Sequence, residues 1–288
     1  MSARAPGLPT PPVIEAYRQV LSQWPVPCQQ QHVRTRAGAT FVVSCGPREA
    51  PPLVLLHGTL SNAASWMFDA AHWSTHYRVH AIDLIGEPGL SAPTHPLLDS
   101  DGHAQWLGDV LDALGIDAAA FVGLSFGGYL ALDLALRQPQ RVQALALLSP
   151  SGLGRQRAFL LKALPLLLLG HWGRRRLRTR VMGPQSTPPP EQARPLLALL
   201  DLIHAQVRPR HLRIPRIDDA RLATLRPPLR MIIGGRDALI DAHDAAERTR
   251  RLLPTAEVTL LPEAFHYIPG QRDTLLHWLL SQRSPCHA

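Results

Sequence analysis

Residues 119–128 read Ala119-Ala120-Phe121-Val122-Gly123-Leu124-Ser125-Phe126-Gly127-Gly128, and a helix-compatible stretch follows them to Arg137. The apolar run Ala119 to Val122 has the length of a strand, so Ser125 falls on a strand-to-helix turn with glycines two residues before and two after it. A serine on such a turn has a strained backbone, and the glycines remove side chains that would collide there. The hydroxyl is left standing out of the turn. The helix that begins at Phe126 points its first N–H groups at the same place and so favours developing negative charge.

Outward from this turn, short apolar runs recur at Leu53 to Leu56, Arg78 to Ile82, Val142 to Leu148, Leu229 to Ile233 and Val258 to Leu261. Most are apolar throughout rather than alternating, as expected of strands covered on both faces. Helical patterns at Gly102 to Leu114, Phe126 to Arg137, His243 to Leu253 and Gln271 to Gln282 lie between them, which predicts βαβ units and a mostly parallel sheet. Two extended runs between Gln31 and Ser44, around Ala37-Gly38, predict a hairpin, and Val13 to Leu21 a short helix that stops before Pro25. The expected fold class is α/β, with a mostly parallel central sheet flanked by helices. Its expected organisation is an N-terminal arm and short helix over 1–30, a core over 31–150 and 227–288, and a helical cap inserted at 151–226.

The 288 residues are 45% apolar and 18% charged, the balance of a chain that folds around a core. Three widely spaced cysteines, Cys28, Cys45 and Cys286, indicate neither a disulfide framework nor a zinc site, and point to a reducing, cytoplasmic setting. The N-terminus shows no secretory signal pattern. The most apolar segment, Phe159 to Leu169, is interrupted by Lys162 and Pro165 and falls short of the ~20 residues that span a bilayer. The net charge of +8 is uneven. Residues 151–226 hold 15 basic against four acidic side chains, a balance of +11, and leave the remainder at −3. The stretch Trp172 to Val181 sets Leu177 and Val181 four apart among arginines, as on a helix with one apolar stripe. A solvated face is the first reading of it, ahead of peripheral contact with an anionic surface or substrate. Nucleic acid ranks last, since no recognised motif accompanies the arginines.

A serine nucleophile needs a base to take its proton and an acid to orient that base. Asp237 follows the strand Leu229 to Ile233 in Ile233-Gly234-Gly235-Arg236-Asp237, and His266 follows Val258 to Leu261 in Pro262-Glu263-Ala264-Phe265-His266. Both stand at strand C-terminal ends, where open α/β sheets place their ligands. Asp241 and Asp244 are nearby alternatives for the acid. No carboxylate follows Val142 to Leu148, where Ser149-Pro150-Ser151 stand instead.

With the order Ser, Asp, His on the page, the sequence resembles the α/β-hydrolase superfamily from about Gln31 to its end. Leu56-His57-Gly58-Thr59 is similar to the family's His-Gly oxyanion loop. Asp83-Leu84-Ile85-Gly86-Glu87-Pro88-Gly89-Leu90-Ser91 is similar to its Asp-x-x-Gly-x-Gly-x-Ser loop with one residue displaced. The resemblance implies Ser125 as nucleophile, His266 as general base and then acid, and Asp237 as its orienting carboxylate. It implies oxyanion donors at the N–H groups of Phe126 and Thr59, with Leu60 next in line, and His57 as a structural holder of the loop. The Phe126 ring is expected to face an acyl pocket. The activity implied is serine hydrolysis of a small-molecule carboxylic ester of largely apolar character, with no metal or organic cofactor. A thioesterase, a lactonase or a carbon-carbon bond hydrolase needs the same three residues, and a non-catalytic member that binds a small ligand or a membrane surface is the alternative from another class. Dehalogenases and epoxide hydrolases of this fold use aspartate where Ser125 stands.

Overall fold

The computed structural model describes residues 6–98, 100–157, 170–184, 190–210 and 213–283. Eight strands form one sheet in the order β1-β2-β4-β3-β5-β6-β7-β8. They are β1 (Cys28–Thr35), β2 (Gly38–Cys45), β3 (Pro52–Leu56), β4 (Arg78–Ile82), β5 (Ala119–Leu124), β6 (Val142–Leu148), β7 (Leu229–Gly234) and β8 (Glu257–Leu261). The expected hairpin is β1–β2, with Thr35 opposite Gly38 and Gly38 at φ +105°. From β4 onward every pairing is parallel.

The apolar-throughout runs are the interior strands. In β3, Val54 and Leu56 face one core while Leu53 and Leu55 face another. Helices α3 (Gly102–Ala113), α4 (Phe126–Arg137) and α8 (Ala242–Leu252) cover the first face with side chains such as Leu107, Leu130 and Ala246. Helices α1 (Pro11–Leu21), α2 (Met67–Trp73), α6 (Arg194–Gln206) and α9 (Arg272–Ser281) cover the second with Tyr17, Trp73, Leu199 and Leu275. The 3-10 turn Ala63–Trp66 and α2 were not foreseen from the sequence. Burying both faces of the sheet makes it a three-layer α/β/α structure, as its uninterrupted apolar strands require.

Because β3, β5, β6, β7 and β8 run parallel, the residues that follow them emerge along one edge. That edge carries His57 to Leu60, Ser125, Ser149, Asp237 and His266. Residues 151–226 lie between β6 and β7 and, among the described residues, form α5 (Gly170–Met182), α6 and the short α7 (Asp219–Leu222). The apolar run 159–169, residues 187–189 of the Pro-rich piece, Cys286 and the first five residues of the arm lie outside the described residues, as do the side chains of Trp172, Arg174 and Arg175. On α5, Leu177 and Val181 are half-buried while Arg176 and Arg180 are exposed, as the single apolar stripe predicts. No described helix is long and apolar enough to cross a membrane.

The ends of the insert are tied to the core by one buried arginine. Arg248 of α8 is 4% exposed. It donates from Nη1 to the Leu153 carbonyl (2.8 Å), from Nη2 to the Ile217 carbonyl, and from Nε to Asp219 Oδ1 (2.7 Å). Replacing it strands two buried carbonyls at about 1–3 kcal/mol each. Arg248→Met is therefore expected to lower the unfolding free energy by about 2–4 kcal/mol, read as a lower urea midpoint at unchanged slope.

Candidate active site

Ser125 joins β5 to α4 at φ +52° and ψ −110°, a left-handed backbone that a non-glycine residue adopts only under constraint. The constraint is visible in its hydrogen bonds. Its N–H donates to the Leu148 carbonyl (2.9 Å), and its carbonyl accepts from the N–H groups of Tyr129 (3.1 Å) and Ser151 (3.0 Å). The flanking glycines are required by close approach. A Cβ on Gly127 would stand 2.2 Å from the Leu56 carbonyl oxygen, and one on Gly123 would stand 2.7 Å from the Gly128 Cα. A Cβ on Gly58 would lie 3.6 Å from the Ser125 Cβ, so the loop after β3 borders the serine directly.

Asp237 is fully buried after β7. Its Oδ1 accepts from the N–H groups of Leu239 (2.7 Å) and Ile240 (3.0 Å), which aims Oδ2 at His266 Nδ1, 2.7 Å away. The two neighbouring carboxylates are engaged elsewhere. Asp241 caps α8 by accepting from the Asp244 N–H, and Asp244 pairs with Arg155 and Arg216. The His266 loop is fitted closely to β7, since a Cβ on Gly234 would stand 2.1 Å from the Phe265 carbonyl oxygen. It also touches the insert, because the Val181 carbonyl near the end of α5 accepts from the His266 N–H (3.1 Å). Ser125 and His266 are 8% and 7% exposed, and no direct hydrogen bond joins their side chains among the described residues. Such contacts commonly tighten only when substrate is bound.

The loop after β3 is fastened by His57, which is fully buried. Leu84 N–H points at its Nε2 (3.0 Å), and its Nδ1 lies 2.7 Å from the Gly58 carbonyl oxygen. An N–H can only be accepted, so Nε2 is the bare nitrogen and Nδ1 carries the proton. Burial pushes His57 down to about 4, which keeps it in this neutral form. Within a planar trans peptide the Gly58 carbonyl and the Thr59 N–H point in opposite directions, so holding one aims the other. Leu60, at φ +54°, has its N–H committed to Glu87 Oε2 at 2.7 Å. Among the described residues the N–H groups of Thr59 and Phe126 donate to no protein acceptor, which leaves these two, not Leu60, as the available pair. The Phe126 side chain departs from expectation. It is 1% exposed, packed between the edge of His103 (6.0 Å) and the stacked ring of Tyr129 (6.4 Å) in the core.

The loop 83–91 supports both structures. Asp83 is fully buried; its Oδ1 accepts from the Tyr17 hydroxyl and the Ala63 N–H (2.7 Å each) and its Oδ2 from the Leu90 N–H (2.7 Å). Burial outweighs these bonds and raises it to about 6. The motif marked Asp83 in the sequence, but its partner Tyr17 on α1 carried no signal there. A cleft beside the elbow is lined by Trp66, Trp73, Leu124, Tyr267 and Asp69, the last also pushed up by burial to about 6.

A serine held on a strained strand-to-helix turn, a histidine bonded to a buried carboxylate and two N–H groups without a protein acceptor meet at one edge of a parallel sheet, an arrangement like that used by the serine hydrolases built on α/β folds. The profile of the α/β-hydrolase fold matches residues 51–178. The chain is 32% identical over 272 residues to a protein of Bacillus subtilis strain 168 named uncharacterized carboxylesterase nap, covering 91% of this chain and 89% of that one. It is 30% identical to the carboxylesterase YbfK of the same organism, covering 88% and 87%. The crystal structure of naproxen esterase, also from Bacillus subtilis, superposes with a TM-score of 0.80 at 29% identity, over 93% of this chain and 95% of that one. The chain belongs to the α/β-hydrolase family, and it is a hydrolase.

His103 offers a measurement of the buried environment. Burial against Phe126 pushes it down to about 4, so below pH 6.5 the unfolded chain binds a proton that the folded chain refuses. It therefore withdraws stability as pH falls from 6.5 to about 4, with a limiting slope of about 1.4 kcal/mol per pH unit. His103→Leu is expected to flatten the pH dependence of the unfolding free energy between pH 6.5 and 4.5 relative to wild type.

Proposed function

We propose that the protein hydrolyses carboxylic esters of largely apolar character through Ser125, His266 and Asp237. The observation that carries this reading is the 2.7 Å contact between His266 Nδ1 and Asp237 Oδ2, made at the sheet edge where the left-handed turn presents Ser125. Asp237, oriented by two backbone N–H groups, holds the proton of His266 on Nδ1 and leaves Nε2 free to act on the serine. In the reaction His266 Nε2 takes the Ser125 proton as the hydroxyl oxygen attacks the acyl carbonyl. The N–H groups of Thr59 and Phe126 stabilise the oxyanion of the tetrahedral intermediate. His266 then gives the proton to the departing alcohol, and in the second half it activates water against the acyl-enzyme. No step calls for a metal or an organic cofactor.

Residues 151–226 act as a cap over this edge, a role supported by the bond from the His266 N–H to the Val181 carbonyl. Two relatives matched over 89% and 87% of their length are named carboxylesterases, which favours an ester over a thioester, lactone or carbon-carbon bond. A reducing, cytoplasmic setting accords with Cys28 and Cys45, which stand opposite each other across β1 and β2 as free thiols. The site takes a small-molecule acyl substrate.

A fluorophosphonate probe is expected to label Ser125, and p-nitrophenyl butyrate to be cleaved by the wild type and not by Ser125→Ala. Asp237→Asn is expected to lower kcat by a factor on the order of 10³–10⁴ while Asp241→Asn leaves it within threefold, as measured by steady-state kinetics. Folded wild-type protein that neither reacts with the probe nor turns over esters would defeat this reading.

A further inference from the structure

One buried acidic residue near the site has no part in the chemistry above. Glu87, in the loop after β4 and 4% exposed, divides its carboxylate between two loops. Oε2 accepts the Leu60 N–H at 2.7 Å, and Oε1 accepts Arg210 Nη2 at 2.9 Å. Arg210 belongs to the insert. Its side chain is 13% exposed and also meets His95 Nδ1, so the ion pair is almost withdrawn from water. Burial pushes the Glu87 carboxyl up, and the Arg210 guanidinium pulls it back toward the charged form.

The position of Leu60 gives this contact its consequence. Leu60 is a non-glycine residue at φ +54°, a conformation that persists only where its surroundings hold it. It directly follows Thr59, the proposed oxyanion donor. Thr59 is thus flanked by two fixed peptide planes: His57 fixes the one that carries the Thr59 N–H, and Glu87 fixes the one that carries the Leu60 N–H. Three further bonds join the same loops, from the Leu84 N–H to His57 Nε2 (3.0 Å), from Asn62 Nδ2 to the Pro88 carbonyl (3.1 Å) and from the Ala63 N–H to Asp83 (2.7 Å), but the first acts before Gly58 and the other two beyond Leu60. Glu87 is the contact that reaches the left-handed residue itself.

We propose that Glu87 is a positioning residue for the oxyanion loop and that Arg210 holds it in place, so that the seating of the insert is relayed through Arg210, Glu87 and Leu60 to the Thr59 N–H. The relay makes oxyanion stabilisation depend on the insert without Arg210 itself touching the reacting atoms. It rests on the ester-hydrolase reading, and it predicts a specific kinetic pattern. Loss of the relay displaces a transition-state donor rather than the substrate pocket, so kcat falls while KM holds.

The test uses full-length protein with p-nitrophenyl butyrate and with the matching thionoester, whose sulfur depends less on oxyanion donors. Glu87→Ala is expected to lower kcat for the oxygen ester by 10- to 100-fold, below the 10²–10³ of removing a donor outright, with KM within threefold. The thionoester rate is expected to fall much less. Glu87→Gln, which keeps an oxygen for the Leu60 N–H, is expected to recover most of the loss, and Arg210→Met to lower kcat by about fivefold or more at constant KM. Wild-type kcat in folded Glu87→Ala, or equal losses on ester and thionoester, overturns the proposal. Where Glu87→Ala does not fold, Arg210→Met carries the test, and an unchanged kcat there overturns it. Wild-type protein without Ser125-dependent turnover defeats the ester-hydrolase reading itself, an outcome distinct from wild-type turnover that Glu87→Ala leaves intact.

Discussion

The site depends on how closely the turn at Ser125 fits the strand beside it. Gly127 lies so near the Leu56 carbonyl that no Cβ fits between them, and a Cβ on Gly123 would likewise collide with Gly128. With β5, β3 and α4 locked together in this way, Ser125 is driven into a left-handed backbone and pointed out of the turn. The same proximity brings the start of the His57–Leu60 loop against the serine. Ser125 and the His57–Leu60 loop, the proposed nucleophile and oxyanion loop, are therefore placed by one packing contact, and the parallel order β5-β6-β7-β8 delivers Asp237 and His266 to the same edge.

Around the site, backbone groups are aimed by side chains that never meet substrate. Two N–H groups orient Asp237, a neutral buried histidine orients the Gly58–Thr59 peptide, and Asp83 gathers α1, the turn after the His57–Leu60 loop and the 83–91 loop through three bonds. Each of these groups is buried, so each must be paired, and each pairing removes a degree of freedom from an element of the proposed site. Preorganisation here is a by-product of satisfying buried polar atoms.

The charge asymmetry between insert and core has an internal use. Arg155 and Arg216 pair with Asp244, Arg210 with Glu87 and Arg221 with Asp133, each joining a basic residue of 151–226 to a carboxylate of the core. The excess of arginine that raised polyanion binding as a possibility is in part the fastening of the insert to the fold beneath it. Arg176 and Arg180 on α5 remain exposed, as a solvated face requires.

The strands, the principal helices flanking them, the elbow and the chain order of Ser125, Asp237 and His266 were legible in the sequence. Apolar periodicity and glycine spacing are local signals, and a parallel sheet converts strand order into a common edge. The short helix Met67–Trp73 left no clear periodicity because it is only two turns long and continues directly from the 3-10 turn Ala63–Trp66. Four decisions needed the tertiary structure: Asp237 rather than Asp241 or Asp244 beside His266, Thr59 rather than Leu60 as the free N–H, the Phe126 ring in the core rather than in a pocket, and Glu87 joined to Arg210. Three of them turn on which of several chemically equivalent groups is already engaged, as Asp244 is by Arg155 and Leu60 by Glu87, and the fourth on burial of the Phe126 ring, and both are properties of packing that local spacing does not encode.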